Sequence, residues 1–152
     1  MPPHRRALAV AQPLIVALAF VLLGLLLFLP VLGLVFGLLC LGFNTLLLAA
    51  VINVMFAENL VSLEPRIAKI TNGLDELRAA VADLTPESVE KSTGVSASTI
   101  RTLAREISAA PTAAVYGRIG VNAVEFGTLN AWLIDAINMV TGNLDRRGGV
   151  RA

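Results

Sequence analysis

Apolar and polar positions divide this chain into two unlike parts. No Asp, Glu, Lys or Arg occurs from residue 7 to residue 57, whereas a helix on the surface of a water-soluble protein is apolar along one stripe and polar opposite it. Such a run must meet lipid or be buried on all sides. A bilayer crossing takes about 20 helical residues, so the run is long enough for two. Pro30 breaks it, because proline lacks a backbone donor and keeps the preceding residue out of the helical region. The pattern therefore predicts apolar helices over 7–29 and 31–56, with Gly33 and Gly37 as a small-xxx-small pair for close packing. A cleaved signal peptide fits less well, since the apolar stretch far exceeds an h-region of about 7–15 residues.

From Glu58 the periodicity changes. Leu60, Val61 and Leu63 lead to Pro65, and Asn72-Gly73 marks a turn. Leu74, Leu77, Ala80, Val81 and Leu84 then recur at helical spacing, with Asp75, Glu76, Arg78 and Asp83 opposite. Thr85-Pro86-Glu87 reads as an N-cap, a proline at the first helical position and an acid in the first turn. That helix should stop near Gly94. A further helix runs from Ala97 to about Ala109, with Ile100, Leu103 and Ile107 inward. After Pro111 a short apolar run reads as a strand at about 113–119, followed by a loop over 121–127. A strong helix starts at Thr128, with Leu129, Trp132, Leu133, Ala136, Ile137 and Val140 on its apolar face. The predicted fold class is mainly α: an apolar N-terminal membrane helix or helical hairpin, then an incomplete α/β fragment with one clear strand and several short helices. One strand cannot satisfy its own edges, so that second part reads as a piece of a larger α/β domain.

Composition sharpens this. The 152 residues are 56% hydrophobic, with mean hydropathy +0.76 and net charge +1. Arg5 and Arg6 are the charged residues before Glu58, and the positive-inside rule places such an N-terminus in the cytoplasm. With two spans the soluble part would be cytoplasmic too, and the apolar segment would make the membrane a partner. Lacking charge, that segment suits anchoring better than transport. Cys40 and His4 are the single cysteine and histidine, so the chain offers no disulfide, zinc or iron–sulfur ligand set. The helix, glycine turn and helix over 86–110 also matches a helix-turn-helix reader. Its Lys91, Arg101 and Arg105 are balanced by Glu87, Glu90 and Glu106, a poor field for phosphates. No nucleic-acid partner is expected.

A strand, a Gly-x-x-Gly loop and a helix N-terminus together place backbone donors where a phosphate can bind. Here several motifs occur in order: Thr85-Pro86-Glu87-Ser88-Val89, Thr93-Gly94-Val95, Thr99 through Glu106, Val115-Tyr116-Gly117-Arg118-Ile119-Gly120, Glu125-Phe126-Gly127-Thr128-Leu129 with Trp132-Leu133, and Thr141-Gly142-Asn143-Leu144-Asp145-Arg146-Arg147-Gly148-Gly149. Over more than 60 residues this order resembles the molybdopterin oxidoreductases of the dimethyl sulfoxide reductase family, which include formate dehydrogenases. The similarity begins at about Asn44.

The resemblance implies a fragment of a catalytic subunit that binds a bis-molybdopterin guanine dinucleotide cofactor with Mo or W. It carries over Gly117, Arg118, Gly120, Glu125, Gly127 and Thr128 as cofactor contacts. Val124, where many relatives have Gln, and Arg147, where they have Pro, depart from the pattern. The family's metal ligand and its iron–sulfur cysteines have no counterpart here, so no catalytic or metal-ligating residue is expected and the chain alone should be inactive. The implied organisation is a transmembrane or leader segment over 1–43 and the oxidoreductase fragment over 44–152, completed by the remaining parts of an oxidoreductase. With Asn44 as N-cap, residues 44–58 would be a core helix of that fragment, in competition with a second span. A small membrane-anchored interaction protein reusing the fragment is the alternative, and the helix-turn-helix regulator a second.

Overall fold

A computed structural model describes residues 42–150. Among them the chain forms seven helices: α1 Phe43–Ala57, α2 Pro65–Ala68, α3 Leu74–Ala80, α4 Pro86–Thr93, α5 Ala97–Ala109, α6 Ile119–Asn122 and α7 Gly127–Val140. The charge-free helix α1 is the axis of the body. It packs against α4, α5 and α7, and α4 packs on α5. Ala49, Ala50, Val51 and Ile52 are all buried, as are Val54, Met55 and Phe56. Successive helical residues point about 100° apart, so such a run leaves no side for solvent, and a charge anywhere on it would be stranded in the core.

This arrangement corrects the two-span expectation. The second half of the uncharged run holds a 15-residue helix that starts after Gly42, not at an Asn44 cap, and is enclosed by other helices of the same chain. No helix among the described residues is long and apolar enough to cross a membrane. The hairpin falls, and with it the membrane localisation and the cytoplasmic placement derived from two crossings. The span predicted over 7–29 lies outside the described residues.

Local chemistry sets the other helix ends. Thr85 Oγ1 accepts from the Ser88 amide at 3.3 Å ahead of Pro86, and Ser96 Oγ accepts from the Thr99 amide at 3.2 Å, two N-caps that satisfy orphan donors. Gly94, at φ 66°, closes α4 in the left-handed region. Asn53, the one polar residue in the later half of α1, donates to the carbonyls of Val81 and Ala82 at 2.9 and 3.1 Å, just beyond α3. Arg101 and Arg105, the arginines of the helix-turn-helix reading, pair with Glu87 at 2.9 Å and Glu58 at 2.7 Å.

The predicted strand is the second correction. No strand forms among the described residues, whose one isolated bridge joins Leu144 and Val150. Residues 113–118 run outside any helix or strand, and Ile119–Asn122 turns into α6. A strand needs a neighbouring backbone to complete its hydrogen bonds. Here a side chain takes that place: Asn138 Oδ1 accepts from the Val115 amide at 3.0 Å, and its Nδ2 donates to the Val115 carbonyl at 2.7 Å. The described body is thus all helical and not α/β.

Candidate functional site

The six residues singled out by resemblance lie between Gly117 and Thr128, on the connection into α6 and the start of α7. Three buried asparagines hold this stretch in place. Asn138, besides gripping Val115, donates to the Ile134 carbonyl at 2.9 Å. Asn143 Oδ1 accepts from the Ala113 amide at 3.0 Å. Asn130 Nδ2 donates to the Val121 carbonyl at 3.1 Å, and its Oδ1 accepts from Thr45 Oγ1 of α1 at 2.6 Å. Sequence reasoning missed all three roles. The available signal was the spacing: Asn130 and Asn138 are eight residues apart, on one face of a helix, next to its apolar stripe.

Between these fixed points the glycines divide by environment. A Cβ on Gly117 would come within 2.9 Å of Ile134 Cδ1, and one on Gly127 would run into the Asn122 carbonyl. Backbone packing therefore demands glycine at 127, whereas at 117 the obstacle is the tip of a side chain that can turn aside. Around Gly120 nothing lies within 4 Å of such a Cβ. Arg118, Glu125 and Thr128 are exposed. Arg118 is extended at φ −92° and ψ 174°, and it heads α6 without a side-chain cap. The start of α7 also lacks a side-chain cap, although the Gly127 amide donates to the Val124 carbonyl at 2.9 Å. The structure thus brings the six residues onto one short segment, with Gly127 buried beneath it and Gly117 half-buried.

The rim is apolar. Tyr116 is 75% exposed, Ile119 86% and Trp132 52%, with Phe126 and Leu129 less so. Leu129 and Trp132 were expected on the inner face of the last helix; the buried face is rotated toward Asn130, Ile134 and Asn138. A recess of about 180 Å³ lies beside Tyr116, Gly117, Asn122 and Ile134. Pockets that enclose small molecules measure about 300–1,000 Å³, so this segment forms one wall and encloses nothing by itself. A larger apolar groove of about 380 Å³ runs between Ala49, Leu77, Trp132 and Leu133. Among the described residues no group of three or more His, Cys, Asp and Glu is placed to hold a metal ion.

Resolved electrostatic perturbations belong to clamps elsewhere. The hydrogen bonds from Arg105, at 2.7 and 2.8 Å, hold the Glu58 carboxyl below its ordinary range despite some desolvation. Glu87 is lowered by its own backbone amide and by Arg101. For Glu64, desolvation acts to raise the pKa, but the Arg66 side chain and the amides of Ile67 and Arg66 outweigh it and lower it.

No family model matches the chain. It is 40% identical over 105 residues to formate dehydrogenase H of Escherichia coli (strain K12), covering 69% of this chain and 14% of that protein. It is 34% identical over 107 residues to the F420-dependent formate dehydrogenase 2 subunit alpha of Methanococcus maripaludis, covering 70% of this chain and 16% of the relative. The matched region thus spans 14% and 16% of the length of these curated relatives. Over about 70% of its own length, the chain is homologous to a segment of formate dehydrogenase subunits.

Proposed function

We propose that this chain is a segment of a molybdopterin oxidoreductase that supplies one wall of a pterin dinucleotide site and is inactive until joined by the remaining parts. The observation that carries this is the partial homology to two formate dehydrogenase proteins from different organisms. The segment from Gly117 to Thr128 suits a phosphate-bearing group on one side. Arg118 provides an exposed cation, Gly120 leaves open space for close approach, and α7 begins without a side-chain cap. When bound, the cofactor would supply the metal-centred electron transfer. This chain's residues would bind and orient its dinucleotide portion. Arg118 would pair with phosphate, while Thr128 and the backbone at the head of α7 would donate to it.

The test is to measure molybdenum, tungsten and pterin in the full chain, purified alone and after co-expression with the remainder of a formate dehydrogenase subunit. Alone, the chain should hold neither metal stoichiometrically and should not oxidise formate. With the remainder present, it should retain pterin, and Arg118→Ala should lower that retention. Stoichiometric metal with activity in the chain alone would overturn the incomplete-site reading. Pterin retention indifferent to R118A would overturn the assignment of Arg118.

A further inference from the structure

We propose that Asn72 is a site of spontaneous deamidation, a covalent modification that installs a carboxylate or an isoaspartate at the entrance to α3. The reaction is intramolecular. Once a base takes its proton, the backbone nitrogen of residue 73 attacks Cγ of Asn72. A new N–Cγ bond closes a succinimide ring, the Cγ–Nδ2 bond breaks, and the amide leaves as ammonia. Water then opens the ring. Cleavage between Cγ and the nitrogen gives aspartate; cleavage at the main-chain carbonyl gives isoaspartate, in which the backbone runs through Cγ. Water is the one co-reactant and no electrons are exchanged.

Three things ordinarily hold this reaction back: a side chain on the following residue, a hydrogen bond that occupies its N–H, and a hydrogen bond that holds the asparagine amide. At Asn72 all three are missing. Residue 73 is glycine, at φ 84°, and the nearest atom to a Cβ there is Glu76 Oε2 at 3.8 Å. Among the described residues neither the Gly73 N–H nor the Asn72 amide has a hydrogen-bond partner. Asn72 is exposed and lies outside any helix.

The other asparagines provide internal controls, because none of them precedes a glycine. Asn53, Asn130, Asn138 and Asn143 have their side chains bonded. Asn44 and Asn122 lie in helices. Asn59, at φ 55°, is followed by Leu60.

The consequence is local. Gly73 is the N-cap of α3 and lines the apolar groove beside Leu77 and Trp132. A new negative charge would sit just before a first turn that already carries Asp75 and Glu76. An isoaspartate would lengthen the backbone at that cap.

The test is peptide mapping of the full chain, incubated at neutral and mildly alkaline pH, with isoaspartate scored by its specific methylation. Asn72 should gain the mass of an amide-to-acid exchange before any other asparagine, yield both products, and convert faster as pH rises. Asn72→Gln should abolish that signal and leave the other sites unchanged. An intact Asn72, or conversion no faster there than at Asn59 or Asn122, would overturn the proposal. Neither result bears on cofactor binding.

Discussion

Replacing Asn138 with leucine tests whether a side-chain amide stands in for the missing strand partner. The buried amide makes three hydrogen bonds, to the Val115 N–H, the Val115 carbonyl and the Ile134 carbonyl. Leucine keeps the size and removes all three. A typical hydrogen bond is worth about 1 kcal/mol net, and a buried group left without a partner costs about 1–3 kcal/mol. The Ile134 carbonyl lies within a helix, and the Val115 groups are only partly buried, so water recovers some of the loss. The expected destabilisation is about 2–3 kcal/mol. With a urea m-value of about 1–3 kcal/mol/M, the midpoint should fall by roughly 1–2 M. Amide exchange at Val115 should accelerate more than exchange in α5. Asn138→Asp keeps an acceptor, loses both donations and buries a charge, so it should be worse at neutral pH than in mild acid, where the carboxyl takes up a proton. A midpoint shift worth less than about 0.5 kcal/mol, with Val115 protection unchanged, would refute the argument.

Other outcomes follow from the same contacts. Gly127→Ala drives a methyl into the Asn122 carbonyl and should cost about 1–3 kcal/mol, as overpacking does; Gly120→Ala, in open space within α6, should raise the urea midpoint slightly, by the equivalent of about 0.4–1 kcal/mol. Ile52→Ala, at a fully buried position at the centre of α1, should cost about 2–5 kcal/mol in denaturant titration. Glu58 has a folded pKa below its ordinary value through its bonds from Arg105, so its contribution is complete above the unfolded carboxylate pKa and is lost as pH falls through the folded one. The stability difference between wild type and Glu58→Gln should therefore be present at neutral pH and vanish in acid, which urea titrations across that range would show.

Local signals were readable wherever the chemistry was local. Thr85 with Pro86 and Gly94 bound α4 where capping rules put them, because a cap depends on a few neighbouring residues. The uncharged run was readable only as a pair of environments, lipid or a closed core. What decides for residues 43–57 is that α4, α5 and α7 surround them, and no window of sequence contains that fact. The strand at 113–119 failed for a related reason. An apolar run after a proline specifies an extended chain, but whether a strand or a side chain completes its hydrogen bonds depends on Asn138, more than 20 residues away. The apolar face of α7 was placed slightly off, since Leu129 and Trp132 have the same hydropathy as core residues yet lie on the rim.

The asparagine grip also redistributes weight among the residues carried over by resemblance. Val115 is fixed by Asn138, and the Val121 carbonyl by Asn130, itself bonded to α1 through Thr45. The chain between is pinned at both ends and pressed onto Ile134 at Gly117. Packing against the Asn122 backbone requires glycine at 127, so that position would be glycine whether or not a cofactor binds. Arg118, Gly120, Glu125 and Thr128 carry no such obligation: they are exposed. A glycine in open space gains nothing for the fold, because its extra backbone freedom is a cost on folding. If the segment serves a ligand, the case for it rests on those four positions, and above all on the contrast between Gly120 and Gly127.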